Sequence, residues 1–162
     1  MDKATLSKQI ENTILPEDII FEELIMHMDN PDFMSICKSN KKFNVLCKND
    51  MFWKKMYEKY YLDSGIKAIL PDATWLELFK ICFNLTFIQK TFANPITLND
   101  LYNFTQLEIY GGVNFSRMIK SLKYMHKLTK ITFIVKDITV PYSLSKELNE
   151  LPFLKEIIYK KL

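Results

Sequence analysis

The chain has 162 residues, 48% hydrophobic and 14% aromatic, enough apolar surface for a core in one domain or two very small ones. Three glycines and six prolines argue against long disordered stretches, and a formal net charge of +3 is too small to mark a nucleic-acid binder by itself. Arg117 is the only arginine, which counts against phosphate or base recognition, where the planar guanidinium is favoured.

The chain begins "MDKATLSKQIEN", without the apolar core of a leader peptide. No stretch reaches the roughly 18 consecutive apolar residues of a membrane span. The sequence therefore predicts an intracellular protein, cytoplasmic or nuclear, in which the sequons at Asn84, Asn103 and Asn114 carry no meaning. Cys37, Cys47 and Cys82 are odd in number and lack CxxC spacing, so they are expected as small buried hydrophobes in a reducing compartment.

In chain order, Pro16 suits a first helical turn, and Glu17 and Asp18 complement the positive end of that helix. Ile20, Leu24 and Met28 repeat at four-residue spacing, with Ile19 and Ile25 widening the stripe. Pro31 ends this helix and starts a second, which carries Phe33, Ile36 and Cys37. A third, about Lys41 to Lys48, carries Phe43, Leu46 and Cys47. Asn49 or Asp50 can cap a fourth, with Phe52, Trp53, Met56, Tyr57 and Tyr60 on one face. The pair Ser64–Gly65 breaks the pattern, and Asp72 precedes a fifth helix with Trp75, Leu78, Phe79, Cys82 and Phe83 on its apolar side. Helices this short need tertiary partners, so part of the first stripe is expected to serve another protein.

The C-terminal half repeats itself. Leu98, Leu101, Phe104, Leu107 and Ile109 form an apolar string that recurs at Leu122, Met125, Leu128, Ile131 and Phe133, and again at Leu148, Leu151, Leu154, Ile157 and Tyr159. The last two positions of each string are two apart, as a strand with one buried face requires, and the earlier ones are three apart, as in a helix or tight turn. The segments "NFSRMIKSLKYMHK" and "SLSKELNEL" read as helices between the strings. A short parallel sheet backed by helices follows, and with it the fold class: α+β, an N-terminal helical bundle followed by that sheet.

Little points to chemistry. His27 and His126 begin no ligand pattern, and no phosphate-cradling glycine loop or nucleophile elbow occurs. Glu22 with Glu23 and Glu147 with Glu150 read as solvated carboxylates. Lys120, Lys123, Lys127 and Lys130 read as a solvated basic face, without aromatic interleaving for base stacking. No catalytic residue, cofactor, metal, nucleic acid or membrane is expected.

Residues 15–53, "LPEDIIFEELIMHMDNPDFMSICKSNKKFNVLCKNDMFW", resemble an F-box. Leu15, Pro16 and Glu17 match its opening, and Asp29, Asn30 and Pro31 match the turn after its first helix. Lys41, Lys42 and Phe43 match its basic and aromatic stretch, and Phe52 with Trp53 its closing pair. The family's valine–cysteine is replaced by "KSN" and its usual tryptophan by Phe43; the chain is similar to divergent F-box-like proteins of large DNA viruses. The repeats resemble leucine-rich repeats, although Gly112, Lys136 and Leu162 stand where asparagine or cysteine is usual.

The resemblance implies a division into an N-terminal tail (1–14), an F-box-like domain (15–61), a connecting helical segment (62–95) and a leucine-rich-repeat-like region (96–162). It implies a non-catalytic substrate receptor that binds a Skp-family adaptor of a cullin–RING ubiquitin ligase. Leu15, Pro16, Ile20, Leu24, Met34, Ile36 and Phe43 would form the adaptor surface, with Trp53 internal. Glu108, Tyr110, Thr132, Ile134, Glu156 and Ile158, on the outward strand face, would hold the unknown target protein. The alternative is a structural or scaffold protein, viral in origin, whose F-box-like helices are only a packing module.

Overall fold

The computed structural model describes residues 17–27, 33–111, 114–136 and 142–162; at 17, 18, 33, 34 and 142–145 the description is of the backbone alone. The described residues open with α1 (Glu17–Met26), α2 (Phe33–Ser39), α3 (Lys41–Lys48) and α4 (Asp50–Tyr61). A 3-10 turn (Leu62–Ser64), α5 (Ile66–Ile69), the long α6 (Trp75–Gln89) and α7 (Leu98–Tyr102) lead to β1 (Gln106–Tyr110). Then α8 (Phe115–Leu122), β2 (Lys130–Val135), α9 (Tyr142–Asn149) and β3 (Glu156–Lys161) alternate. The molecule is α+β, as the patterning predicts.

Local chemistry sets the helix starts. The Asn40 side chain accepts from the Phe43 N–H at 2.8 Å to open α3, and Asn49 accepts from the Met51 N–H at 3.1 Å to open α4. Thr74 and Glu77 satisfy each other's backbone N–H groups in a reciprocal cap on α6. Gly65 adopts φ +76° between the 3-10 turn and α5, a conformation that costs a side chain strain, and a Cβ there would also meet Asn99 at 3.1 Å.

Aromatic rings join the first helices. Phe21 of α1 sits 4.9 Å from Phe43 and 5.5 Å from Phe52 between ring centroids. Trp53, 1% exposed and internal as expected, meets Phe79 of α6 at 5.2 Å, and its indole N–H donates to the Cys47 carbonyl at 2.9 Å. Helix α6, expected to lie in a connecting segment, is buried on nearly all sides through Leu78, Phe79, Ile81, Cys82, Phe83, Asn84, Leu85 and Ile88. One hydrophobic core therefore runs from α1 to Leu151 without a break.

Among the described residues the three strands are parallel in the order β1-β2-β3, and Gln106, Lys130 and Glu156 lie in register. Those offsets, 24 and 26 residues, are the spacings of the apolar strings, so sequence period and strand register are the same fact. Each strand follows the same turn: Leu101, Met125 and Leu151 carbonyls accept from the N–H of Phe104, Leu128 and Leu154. Leu107, Ile109, Ile131 and Phe133 are buried, while Ile157 and Tyr159 of edge strand β3 are half-buried. Helix α8 packs on both α6 and α9, and its Phe115 ring meets Phe133 at 5.6 Å.

The chain's only arginine lies inside. Arg117 of α8, 6% exposed, donates to Asn84 Oδ1 of α6 at 2.9 Å and to Ser121 Oγ at 2.5 Å. Its guanidinium stacks 4.7 Å from the Phe87 ring centre and 5.6 Å from that of Phe83. Burying a charge is tolerated only when such partners replace water. Cysteine use departs from expectation: Cys37 and Cys47 form a disulfide between α2 and α3, with 5.8 Å between their Cα atoms. Cys82 alone is a free thiol. The helix-turn-helix brings the pair together, a proximity that sequence spacing does not reveal, and the argument for a reducing compartment falls with it.

Two outcomes are expected. Arg117→Ala, which removes the donors to buried Asn84 and Ser121 and opens space beside Phe87, should lower unfolding stability by about 2–4 kcal/mol in urea titration followed by circular dichroism. Thiol titration of the denatured, unreduced chain should count one cysteine and, after reduction, three. Closing a loop this small makes the disulfide worth about 2–3 kcal/mol, which reduction should remove.

Candidate functional site

Helix α1 carries two apolar stripes. Phe21 and Ile25, four residues apart and 0% exposed, face the core. Ile20 and Leu24 lie one position earlier on the same spiral and are 37% and 45% exposed, with Ile19 beside them at 38%. The first stripe is buried in the core, and the second leaves apolar surface exposed. Val45 of α3 and Met51 of α4 are further large apolar side chains turned to solvent.

An electrostatic tie holds α1 to α4. The Glu22 carboxylate accepts from Lys59 Nζ and from the Tyr60 hydroxyl. Burial pushes this carboxyl up, but the hydrogen bonds from Lys59 and Tyr60, with the lysine charge, outweigh it and hold the group below its ordinary range. Glu22 is thus a positioning residue, not the solvated carboxylate that its pairing with Glu23 suggests.

The expected adaptor residues divide. Ile20 and Leu24 are on the surface, and Ile36 is half-buried against the core. Phe43 is a correction: 8% exposed and tilted against Phe21, its ring belongs to the core. Leu15 and Pro16 lie outside the described residues; Met34 is in α2, with its side chain outside them. Sequence reasoning missed Val45 and Met51, because an apolar residue on a short helix defaults to the core.

The second surface is the outer face of the sheet. Its rows are Gln106–Lys130–Glu156, Glu108–Thr132–Ile158 and Tyr110–Ile134–Lys160. Tyr110, Glu108 and Glu156 are exposed, and Ile134 and Ile158 are half-buried, so an apolar diagonal crosses the face from Tyr110 to Ile158. Thr132 is a correction, only 4% exposed at the centre of the middle strand between Glu108 and Ile158. Lys130 pairs with Glu156 at 3.5 Å, and Lys127 donates to Asn103 Oδ1, so two of the four clustered lysines are engaged.

Burial pushes the Cys82 thiol up to about 12, opposed in part by its hydrogen bond with Ser64, so at neutral pH it remains a thiol and a poor nucleophile. Among the described residues no three His, Cys, Asp or Glu side chains gather as metal ligands would, and no helix is long and apolar enough to cross a membrane.

The Glu22 tie is testable through pH. A carboxyl depressed on folding stabilises fully above its ordinary value of 4.5 and loses that contribution as pH falls through the lower folded value. Lys59 is largely exposed, so the contribution is modest. Glu22→Gln should be less stable than wild type by about 0.5–1 kcal/mol at neutral pH. The gap in urea midpoints should close as pH falls below the ordinary carboxylate range, through the depressed folded-state value.

Compared with protein-family models, curated proteins and solved structures, the chain matches none of them.

Proposed function

We propose that the chain is a non-catalytic substrate receptor. Its F-box-like helices dock on a Skp-family adaptor of a cullin–RING ubiquitin ligase, and its repeat region holds a target protein. The observation that carries this reading is the second apolar stripe of α1, Ile20 and Leu24, exposed beside a core stripe that is already full. Withdrawing such side chains from water gives a partner its affinity, at roughly 25 cal/mol per Å². The outer sheet face, with its diagonal of Tyr110, Ile134 and Ile158, is the surface for the target.

The mechanism is proximity. A rigid body that joins two binding surfaces raises the concentration of one partner near the other without any chemistry of its own. The unbroken core from α1 to the sheet supplies that rigidity. A second reading rests on the burial of Phe43: with this ring in the core, the helices serve as a packing module of a scaffold or structural protein.

Binding of the purified chain to a Skp-family adaptor separates the two. The expected result is a Kd in the micromolar range or tighter, weakened about thirtyfold or more by Ile20→Asp with Leu24→Asp. Both positions are exposed, so the variant should keep wild-type stability in urea titration to within about 1 kcal/mol. A folded wild-type chain that does not bind would leave the scaffold reading in its place.

A further inference from the structure

We propose that the free edge of β1 is a strand-addition site for an extended segment of a partner protein, one whose side chains alternate between apolar and basic. The site is independent of the adaptor and shares Glu108 with the outer sheet face.

In a parallel ladder a residue's N–H and C=O point to the same side, and the side alternates along the strand. The Thr105 carbonyl accepts from Lys130, and the Gly111 N–H donates to the Ile134 carbonyl, so the odd-numbered residues of this segment serve the pairing with β2. Gln106, Glu108 and Tyr110 consequently direct their backbone groups to the open side. Among the described residues no backbone group bonds to them there. Three donors and three acceptors thus stand at strand spacing, a pattern that matches an extended peptide backbone.

The edge also has room. A groove of about 680 Å³ runs along the whole of β1, walled on its far side by Thr91, Phe92, Ala93 and Phe104. The rings of Phe92 and Phe104 meet edge to face at 6.1 Å and are only half-buried, which suits apolar side chains on the inner face of an added strand. On the outer face the added strand would lie beside the exposed carboxylate of Glu108, where a basic residue completes a cross-strand pair.

The opposite edge is defended and this one is not. Strand β3 carries Lys160 and Lys161, the usual guard against strand addition, whereas "QLEIY" has no lysine or proline and its register with β2 is unbroken by a bulge. A second copy of the chain is a poor occupant. Symmetric antiparallel pairing centred on β1 would set Glu108 against its own copy, a like-charge contact.

The test uses the full chain and a capped peptide of about eight residues that alternates valine with lysine. A matched peptide is N-methylated at alternate positions on the edge that would form the ladder. The expected result is saturable binding that slows hydrogen exchange at the Gln106, Glu108 and Tyr110 amides by about tenfold or more and leaves the Leu107 and Ile109 amides unchanged. The N-methylated peptide should not bind. Glu108→Lys should weaken binding about tenfold, and Glu108→Pro, which removes only an outward N–H, should abolish it. No saturable binding up to about 1 mM would overturn the proposal. Equal binding of both peptides would do so as well, as would protection that falls elsewhere. Protection of the same amides by self-association, without peptide, would make the edge a contact between copies instead. Should the proline variant fail to fold, the comparison of the two peptides decides the matter alone.

Discussion

The burial of Arg117 is the constraint on which the two halves of the molecule depend. A guanidinium away from water must find acceptors and a polarisable surface, and α6 supplies both through Asn84 and the Phe83 and Phe87 rings. Hydrogen bonds are directional where hydrophobic contact is not. The Arg117–Asn84 bond therefore fixes how α8 sits on α6, and α8 in turn carries Phe115 onto the sheet at Phe133. The residue whose scarcity argues against nucleic-acid recognition is spent on the interior.

With α6 held on the sheet side by that bond and on the helical side by the Trp53–Phe79 contact, a receptor would present its two surfaces in a constant relation. In such a receptor the long buried α6 would act as a stiff link of fixed span between the two sites, which keeps the effective concentration of one near the other high. At the far end, Glu22 and the Phe21 ring hold α1 down by charge and by packing, and Ile20 and Leu24 remain outside. The apolar surface of α1 thus has two destinations, and only the tertiary contacts separate them.

The sheet is small and parallel, with β1 and β3 as its two edge strands. A three-strand sheet cannot hide all of its backbone, so something must be done about each edge. Lysines answer at β3, and at β1 the answer is an open groove against the α6–α7 connection. The outer face is more apolar than solvent alone would favour at Tyr110, Ile134 and Ile158, yet its centre is closed where the small Thr132 side chain lies between larger neighbours.

Much of this fold is legible in the sequence because it is periodic. The strings that begin at Leu98, Leu122 and Leu148 predict three strands, their parallel order and their register, since a repeat can bury its apolar positions only by stacking on its neighbour. Helix starts are legible as well, because asparagine and threonine caps act through groups within three residues. The candidate surfaces are half legible: Ile20 and Leu24 are exposed, but Phe43 and Thr132 are buried, and Val45 and Met51 went unnoticed. Tertiary structure alone decided which stripe of α1 meets the core, that Cys37 pairs with Cys47, that Glu22 ties to Lys59 and Tyr60, and that Arg117 lies inside. Periodicity and capping are local, within the reach of a few residues along the chain. Burial, pairing and charge compensation depend on neighbours tens of residues away, which only the folded chain brings together.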